Sequence, residues 1–138
     1  MSIAIDTGPL VALLNARDSH HKWAKDVWSE IEPPLVTCEA VLTEACFLVR
    51  EAAGGADAVL ELVSRGIVKP SFRVEPHIDA VRALMTRFAS VPMSFADACL
   101  VRMAELDARM TIMTLDSDFR VYRKNGRHVV PLLTPVKR

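Results

Sequence analysis

Asp6 closes a short apolar run, Ser2-Ile-Ala-Ile5, and Asp116 follows another, Thr111-Ile-Met-Thr114, after Leu115. Glu44 is the one charge within the apolar stretch from Ala40 to Val49, and Asp97 falls in the first turn of the helix predicted to begin at Ser94-Phe-Ala-Asp-Ala-Cys-Leu. Carboxylates placed at strand ends and helix starts around one sheet can converge on a single pocket. A pocket that offers oxygen alone suits Mg²⁺ or Mn²⁺, and with two such ions it can cleave phosphodiesters.

Taken singly, most of these acids have an ordinary structural use. Asp6 can cap the helix that Gly8 and Pro9 open. Asp97 stands three residues after Ser94, the spacing of a capping box, and the helix dipole favours an acid there. Asp116 and Asp118 bracket Ser117, where an Asx turn accounts for one of the two. Glu44 has no capping use; it falls mid-helix beside Val41, Phe47 and Leu48, either buried, which is expensive for an unpaired carboxylate, or at the stripe's edge in water. The combination carries the signal. Crowded carboxylates repel and raise one another's pKa unless a cation relieves them.

The elements that would position these acids alternate between strand and helix. Residues 2–5 read as a buried strand and 8–15 as a helix, with Pro9 in its first turn. Ser19 is a candidate cap for a helix over 20–32 with Trp23, Val27, Trp28 and Ile31 on one face, ended by Pro33-Pro34. A strand at 35–37, a helix over 39–53 stopped by Gly54-Gly55, and a helix over 56–64 follow. Residues 67–69 and 72–74 suggest two short strands, 76–89 a helix with Ile78, Val81, Leu84, Met85 and Phe88 as its stripe, and 95–107 another. Residues 111–114 form a buried strand, and 129–133 a last one broken by Pro131. Continuous apolar strands alternating with helices imply a small central parallel sheet covered on both faces, a three-layer α/β/α domain. Ligands of such sheets bind beyond the carboxyl ends of the strands, where Asp6 and Asp116 fall.

A length of 138 residues suits one domain over 1–138, and a 51% apolar composition with 25% charge fits a packed core. Net charge is zero, but from Arg120 to Arg138 there are six basic residues (Arg120, Arg123, Lys124, Arg127, Lys137, Arg138) and no acid. Either this is a solvated face or it sets phosphate-binding groups beside an acidic pocket. Three cysteines without a CxxC pair fit reduced thiols and a cytoplasmic setting. No run approaches a membrane span and no signal peptide is evident.

Four segments in order, Asp6-Thr-Gly-Pro-Leu-Val-Ala-Leu-Leu14, Thr43-Glu-Ala45, Ala96-Asp-Ala98 and Thr114-Leu-Asp-Ser-Asp-Phe119, resemble the motifs of PIN-domain ribonucleases, and among them the VapC-type toxins of bacterial toxin–antitoxin pairs. The resemblance covers essentially the whole chain. It implies a PIN-like fold and an acidic metal site of Asp6, Glu44, Asp97 and Asp116, with Asp118 as accessory acid and Thr7 and Thr114 as polar neighbours. It further implies Mg²⁺- or Mn²⁺-dependent endonucleolytic cleavage of RNA by an activated water, a homodimer, and a cognate antitoxin that blocks the site. Arg120, Arg123 and Lys124, just past the last motif, would hold RNA phosphates.

Other readings fit less well. The histidines lack zinc-ligand spacing, although His20 or His21 could touch RNA, and the Trp23/Trp28 face suits core or dimer interface. Neither a glycine-rich phosphate loop nor a G-x-S-x-G elbow is present. An aspartyl-phosphate phosphatase needs a second Asp where Gly8 stands, and a receiver domain needs paired acids and a late Lys that are absent. RNA processing without an antitoxin, or a catalytically silent RNA- or protein-binding module on the same fold, remain alternatives.

Overall fold

A computed structural model of the chain describes residues 2–136; Lys137 and Arg138, part of the basic tail, lie outside the described residues. The elements in order are β1 (Ser2–Ile5), α1 (Thr7–Leu14), α2 (His21–Glu30), β2 (Leu35–Cys38), α3 (Glu39–Leu48), α4 (Gly55–Ser64), β3 (Val68–Phe72), α5 (Ile78–Arg87), α6 (Phe95–Leu106), β4 (Met110–Met113), β5 (Arg123–Lys124), β6 (His128–Val129) and β7 (Leu132–Leu133). Five strands form a parallel sheet in the order β3-β2-β1-β4-β7, flanked by helices, as the alternation of elements implies. β1 occupies the middle, and Ala4, Ile5, Ile112 and Met113 are wholly inaccessible to solvent. That is why β1 and β4 read as unbroken apolar runs.

The register sets the site. Ile5 pairs with Met113, so the chain leaves both strands at the same level, and the amide of Asp6 donates to Met113 O at 2.9 Å. Asp6 then caps α1, its Oδ1 accepting from the amide of Thr7. Pro9 sits in the first turn, where its missing N–H is not needed. Gly8 meets a packing demand: a Cβ there would stand 3.3 Å from Leu115 Cβ, so glycine lets the loop carrying Asp116 lie close against α1. Behind them α6 is buried from Ala96 through Val101, which explains its apolar sequence and makes Asp97 conspicuous within it.

Several boundaries differ from expectation. Ser19 does not cap α2; its N-cap is His20, whose side chain makes no capping bond, while Asp18 accepts from the amide of His20 instead. α3 ends at Leu48 rather than near residue 53, with turns bridging to Gly54 in the left-handed region. The two strands expected at 67–69 and 72–74 are one, β3, and it tolerates Pro70 because it lies at the sheet's edge. The helix expected over 76–89 is a 3₁₀ turn, Glu75–His77, followed by α5. The last expected strand is two: β6 pairs antiparallel with β5, and beyond Pro131 β7 joins β4. Trp23 and Trp28 are half-buried and pack against the core. Cys38 and Cys99 are buried, Cys46 is half-buried, and all three are free thiols. Among the described residues, no helix is long and apolar enough to cross a membrane.

Candidate active site

At the carboxyl end of the sheet lies an open pocket of about 600 Å³ lined by Asp6, Glu44, Asp97, Asp116 and Asp118, together with Thr7, His20 and Ser94. Asp18 lines it as well, so six acids arrive from five separate places: the end of β1, the loop between α1 and α2, the middle of α3, the first turn of α6, and the loop after β4. The four principal acids and the accessory Asp118 singled out from sequence all line it.

Each carboxylate is held differently. Asp6 is buried; its Oδ1 accepts from Thr7 N at 2.8 Å and its Oδ2 from Thr114 Oγ1 at 2.7 Å. Its carboxyl is pushed up to about 7 in all: burial raises it most, the bonds from Thr114 and Thr7 oppose the rise, and the charges of Asp97 and Asp116 add to it. Asp97 is also buried. Its Oδ2 accepts from Tyr122 Oη at 2.6 Å, and its amide donates to Ser94 Oγ at 3.0 Å, the cap expected from the spacing. Burial again lifts this carboxyl above the usual range, against the bonds from Tyr122 and Ser94. Asp116 Oδ1 accepts from Asp118 N at 2.8 Å, closing the Asx turn, and Asp116 N donates to Thr114 Oγ1 at 3.0 Å. Asp116 and Glu44 are both exposed, so Glu44 reaches water at the stripe's edge and is not a buried charge.

Thr114 therefore ties two acids together, accepting from one residue's amide and donating to the other's carboxylate. Thr7 is different: its Oγ1 is buried beside the acids without a hydrogen-bond partner among the described residues. A buried polar atom left unpaired is uncommon and calls for a ligand or water. Together these features fit a hard cation. The donors are all oxygen, two carboxyls are shifted upward by burial and like charge, and a hydroxyl beside them is unmatched. Among the described residues, no three acid, histidine or cysteine side chains already stand grouped as an ion cage, so the set is spread around the pocket.

The structure does not bring the three basic residues to this pocket. Lys124 is buried, with Nζ donating to Ala104 O at 3.4 Å. Arg123 Nη1 donates to the carbonyls of Arg120, Val121 and Tyr122, and Arg120 Nη2 donates to Val136 O at 2.6 Å. Their bonded donors serve main-chain carbonyls of α6 and of the C-terminal segment, while Arg120 Nε is buried without a hydrogen-bond partner among the described residues, and none of the three lines the acidic pocket. Three residues around the site went unrecognised or underweighted in the sequence. Asp18 and His20 line the pocket through the loop before α2, and Tyr122, the single tyrosine, orients Asp97 from the core.

Comparison with known proteins agrees with this geometry. The chain resembles, at 24% identity, the solved structure of VapC20 from Mycobacterium tuberculosis, described as a sarcin-ricin-loop-cleaving toxin; the match covers 87% of this chain and 94% of that one, with a TM-score of 0.78. A search of curated proteins finds no match. The pattern of the PIN domain matches residues 3–125, a span that contains every acid of the pocket. With that span, this sheet order and acids at these strand ends, the chain belongs to the PIN-domain family.

Proposed function

We propose that this protein is a metal-dependent endoribonuclease and the toxin of a toxin–antitoxin pair, acting on cytoplasmic RNA. The observation that carries the reading is the convergence of Asp6, Glu44, Asp97 and Asp116 on one pocket at the carboxyl end of the sheet. These four, with Asp118 accessory, would hold Mg²⁺ or Mn²⁺. A bound ion would lower the pKa of a water and offset charge on the scissile phosphate.

The chain's own residues do the positioning. Thr114 and the Thr7 amide fix the two oxygens of Asp6, and each oxygen keeps a lone pair for a ligand. Tyr122 fixes Asp97 from the buried side. Glu44 and Asp116 stand on the open side, where a polyanion would enter, and a bound cation would offset their repulsion of it. The free hydroxyl of Thr7 and the ring of His20 are placed to contact the substrate's phosphate or its waters.

A partner that silences the site has a surface to use. Phe47, Leu48 and Leu60 on α3 and α4 are at least half exposed, an apolar group of the kind that marks protein contacts. Leu48 also lines the acidic pocket, so an antitoxin seated on this face would cover the acids. The same family implies a homodimer.

The test is incubation of cellular RNA with purified protein in Mg²⁺, Mn²⁺ or EDTA, beside Asp6→Asn. Discrete fragments that need the ion and vanish with the variant support the nuclease. Intact RNA from folded, inhibitor-free protein favours a silent binding module. Growth arrest on expression, relieved by the product of the adjacent gene, tests the toxin assignment separately.

A further inference from the structure

Phe95, the first residue of α6, leaves 42% of its surface exposed directly beside the acidic pocket. From Ala96 to Ala104 the apolar side chains of α6 are buried, whereas Leu106 at its far end is half exposed like Phe95, and the outward Phe95 ring is not explained by the core. It stands in a groove. A cavity of about 520 Å³ lined by Glu39, Thr43 and Phe95 shares Glu44 and Ser94 with the acidic pocket. A further cavity of about 300 Å³ shares Glu39 and Phe95 with that one and continues to Phe72 and Arg73. The three spaces form one track: acids, then an aromatic face with carboxylate and hydroxyl at its rim, then the cation of Arg73 with the carboxylate of Glu75 in the same cavity. Arg73 is exposed and forms no ion pair among the described residues.

We propose that this groove seats the unpaired nucleotides beside the scissile phosphate, with a guanine stacked on Phe95, its donor edge toward Glu39, and the following phosphate at Arg73. The proposal rests on the ribonuclease reading and adds a specificity determinant to it. An aromatic face accepts a base only when that base is free of its own stack, so the target is single-stranded or a loop. A carboxylate accepts hydrogen bonds and donates none. Of the four bases, guanine presents two adjacent donors, N1–H and the N2 amino group, on its Watson–Crick edge. A second copy of this chain is the competing occupant, and the oligomeric state of Phe95→Ala distinguishes it from RNA.

The experiment uses single-stranded oligoribonucleotides randomised around the cut, comparing the wild type with Phe95→Ala, Phe95→Trp, Glu39→Gln and Arg73→Ala. Expected are a guanine preference at one flanking position and its flattening in Phe95→Ala, with kcat/KM for the preferred sequence down about tenfold. Phe95→Trp should keep the preference, Glu39→Gln should weaken it, and ion-dependent cleavage should persist in all four. Phe95→Ala with unchanged preference and KM overturns the subsite while leaving the nuclease standing. So does a changed oligomeric state in Phe95→Ala by sedimentation, which would mean that a second copy covers the ring. If the wild type cleaves nothing, binding of an oligomer carrying 2-aminopurine decides. Quenching that Phe95→Ala removes keeps the groove as an RNA site, and no quenching removes it together with the nuclease.

Discussion

Thr114 Oγ1 donates to Asp6 Oδ2 at 2.7 Å, joining the loop after β4 to the end of β1 across 108 positions of sequence. The bond orients a carboxylate and also opposes the rise in its pKa. Thr114→Val should remove both effects. Asp6 should then titrate above 7, cleavage at neutral pH should fall, and stability should drop by about 1–2 kcal/mol. Thr114→Ser should restore most of each. A pH–rate profile displaced to higher pH in the valine variant alone is the signature; a parallel loss at every pH would indicate simple structural damage.

Tyr122 is wholly buried and meets Phe88 and Phe119 edge-on while its hydroxyl reaches Asp97. Removing the hydroxyl and removing the ring are therefore separable. Tyr122→Phe should cost about 1 kcal/mol in denaturant unfolding yet reduce activity, because Asp97 loses its orienting bond. Tyr122→Ala should cost about 3–5 kcal/mol through the cavity it leaves. Equal activity of Tyr122→Phe and wild type would remove the positioning role.

Asp6 makes stability depend on pH in a stated direction. Its folded-state carboxyl titrates near 7, against 3.8 for the ordinary group. The folded state thus holds the proton more tightly. The contribution is fully present below about pH 4 and is lost as pH rises through 7. Asp97 acts in the same sense. Without divalent ions the melting temperature should fall between pH 5 and pH 8, and Asp6→Asn should flatten that fall. Mg²⁺ or Mn²⁺ should raise it more at pH 8 than at pH 5, since the ion competes with the proton. A thermal-shift series in EDTA and in each ion reads this without any cleavage assay.

Asp6→Asn and Asp97→Asn keep the size of the side chain and remove charge, so both should fold and both should lose cleavage. Circular dichroism and the RNA assay measured on one preparation check this. Full activity in both, at wild-type stability, would remove the acids from the site.

Arg123 bonds three main-chain carbonyls. Arg123→Ala should accordingly lower stability by about 1–2 kcal/mol while leaving KM for RNA unchanged. A KM rise with unchanged stability would return this residue to phosphate binding.

What was legible in the sequence was local. An acid directly after a buried apolar run marks a strand's carboxyl end, and Asp6 and Asp116 are so marked. Ser94 and Asp97 stand at capping distance, and the cap forms. What was illegible depended on the partner. The basic segment reads either as a solvated face or as phosphate-binding groups, and nothing local says that Lys124 turns inward to Ala104 from β5. Residues 129–133 read as one strand because nothing local says that Val129 and Leu132 pair in different sheets. Tyr122 carries no motif; only folding sets it against Asp97. His20 was one polar residue in a polar loop, and its place at the pocket follows from how α1 and α2 pack.

The parallel pairing of β1 with β4 has a further consequence, in time. The hydroxyl that orients Asp6 and the loop acid beside it lie more than a hundred positions further along the chain. Asp6 therefore emerges from the ribosome well before Thr114 and Asp116, and until β4 docks against β1 no pocket exists. A protein that cuts RNA would, by this topology, stay harmless to its own message and ribosome until the segment through β4 had been made.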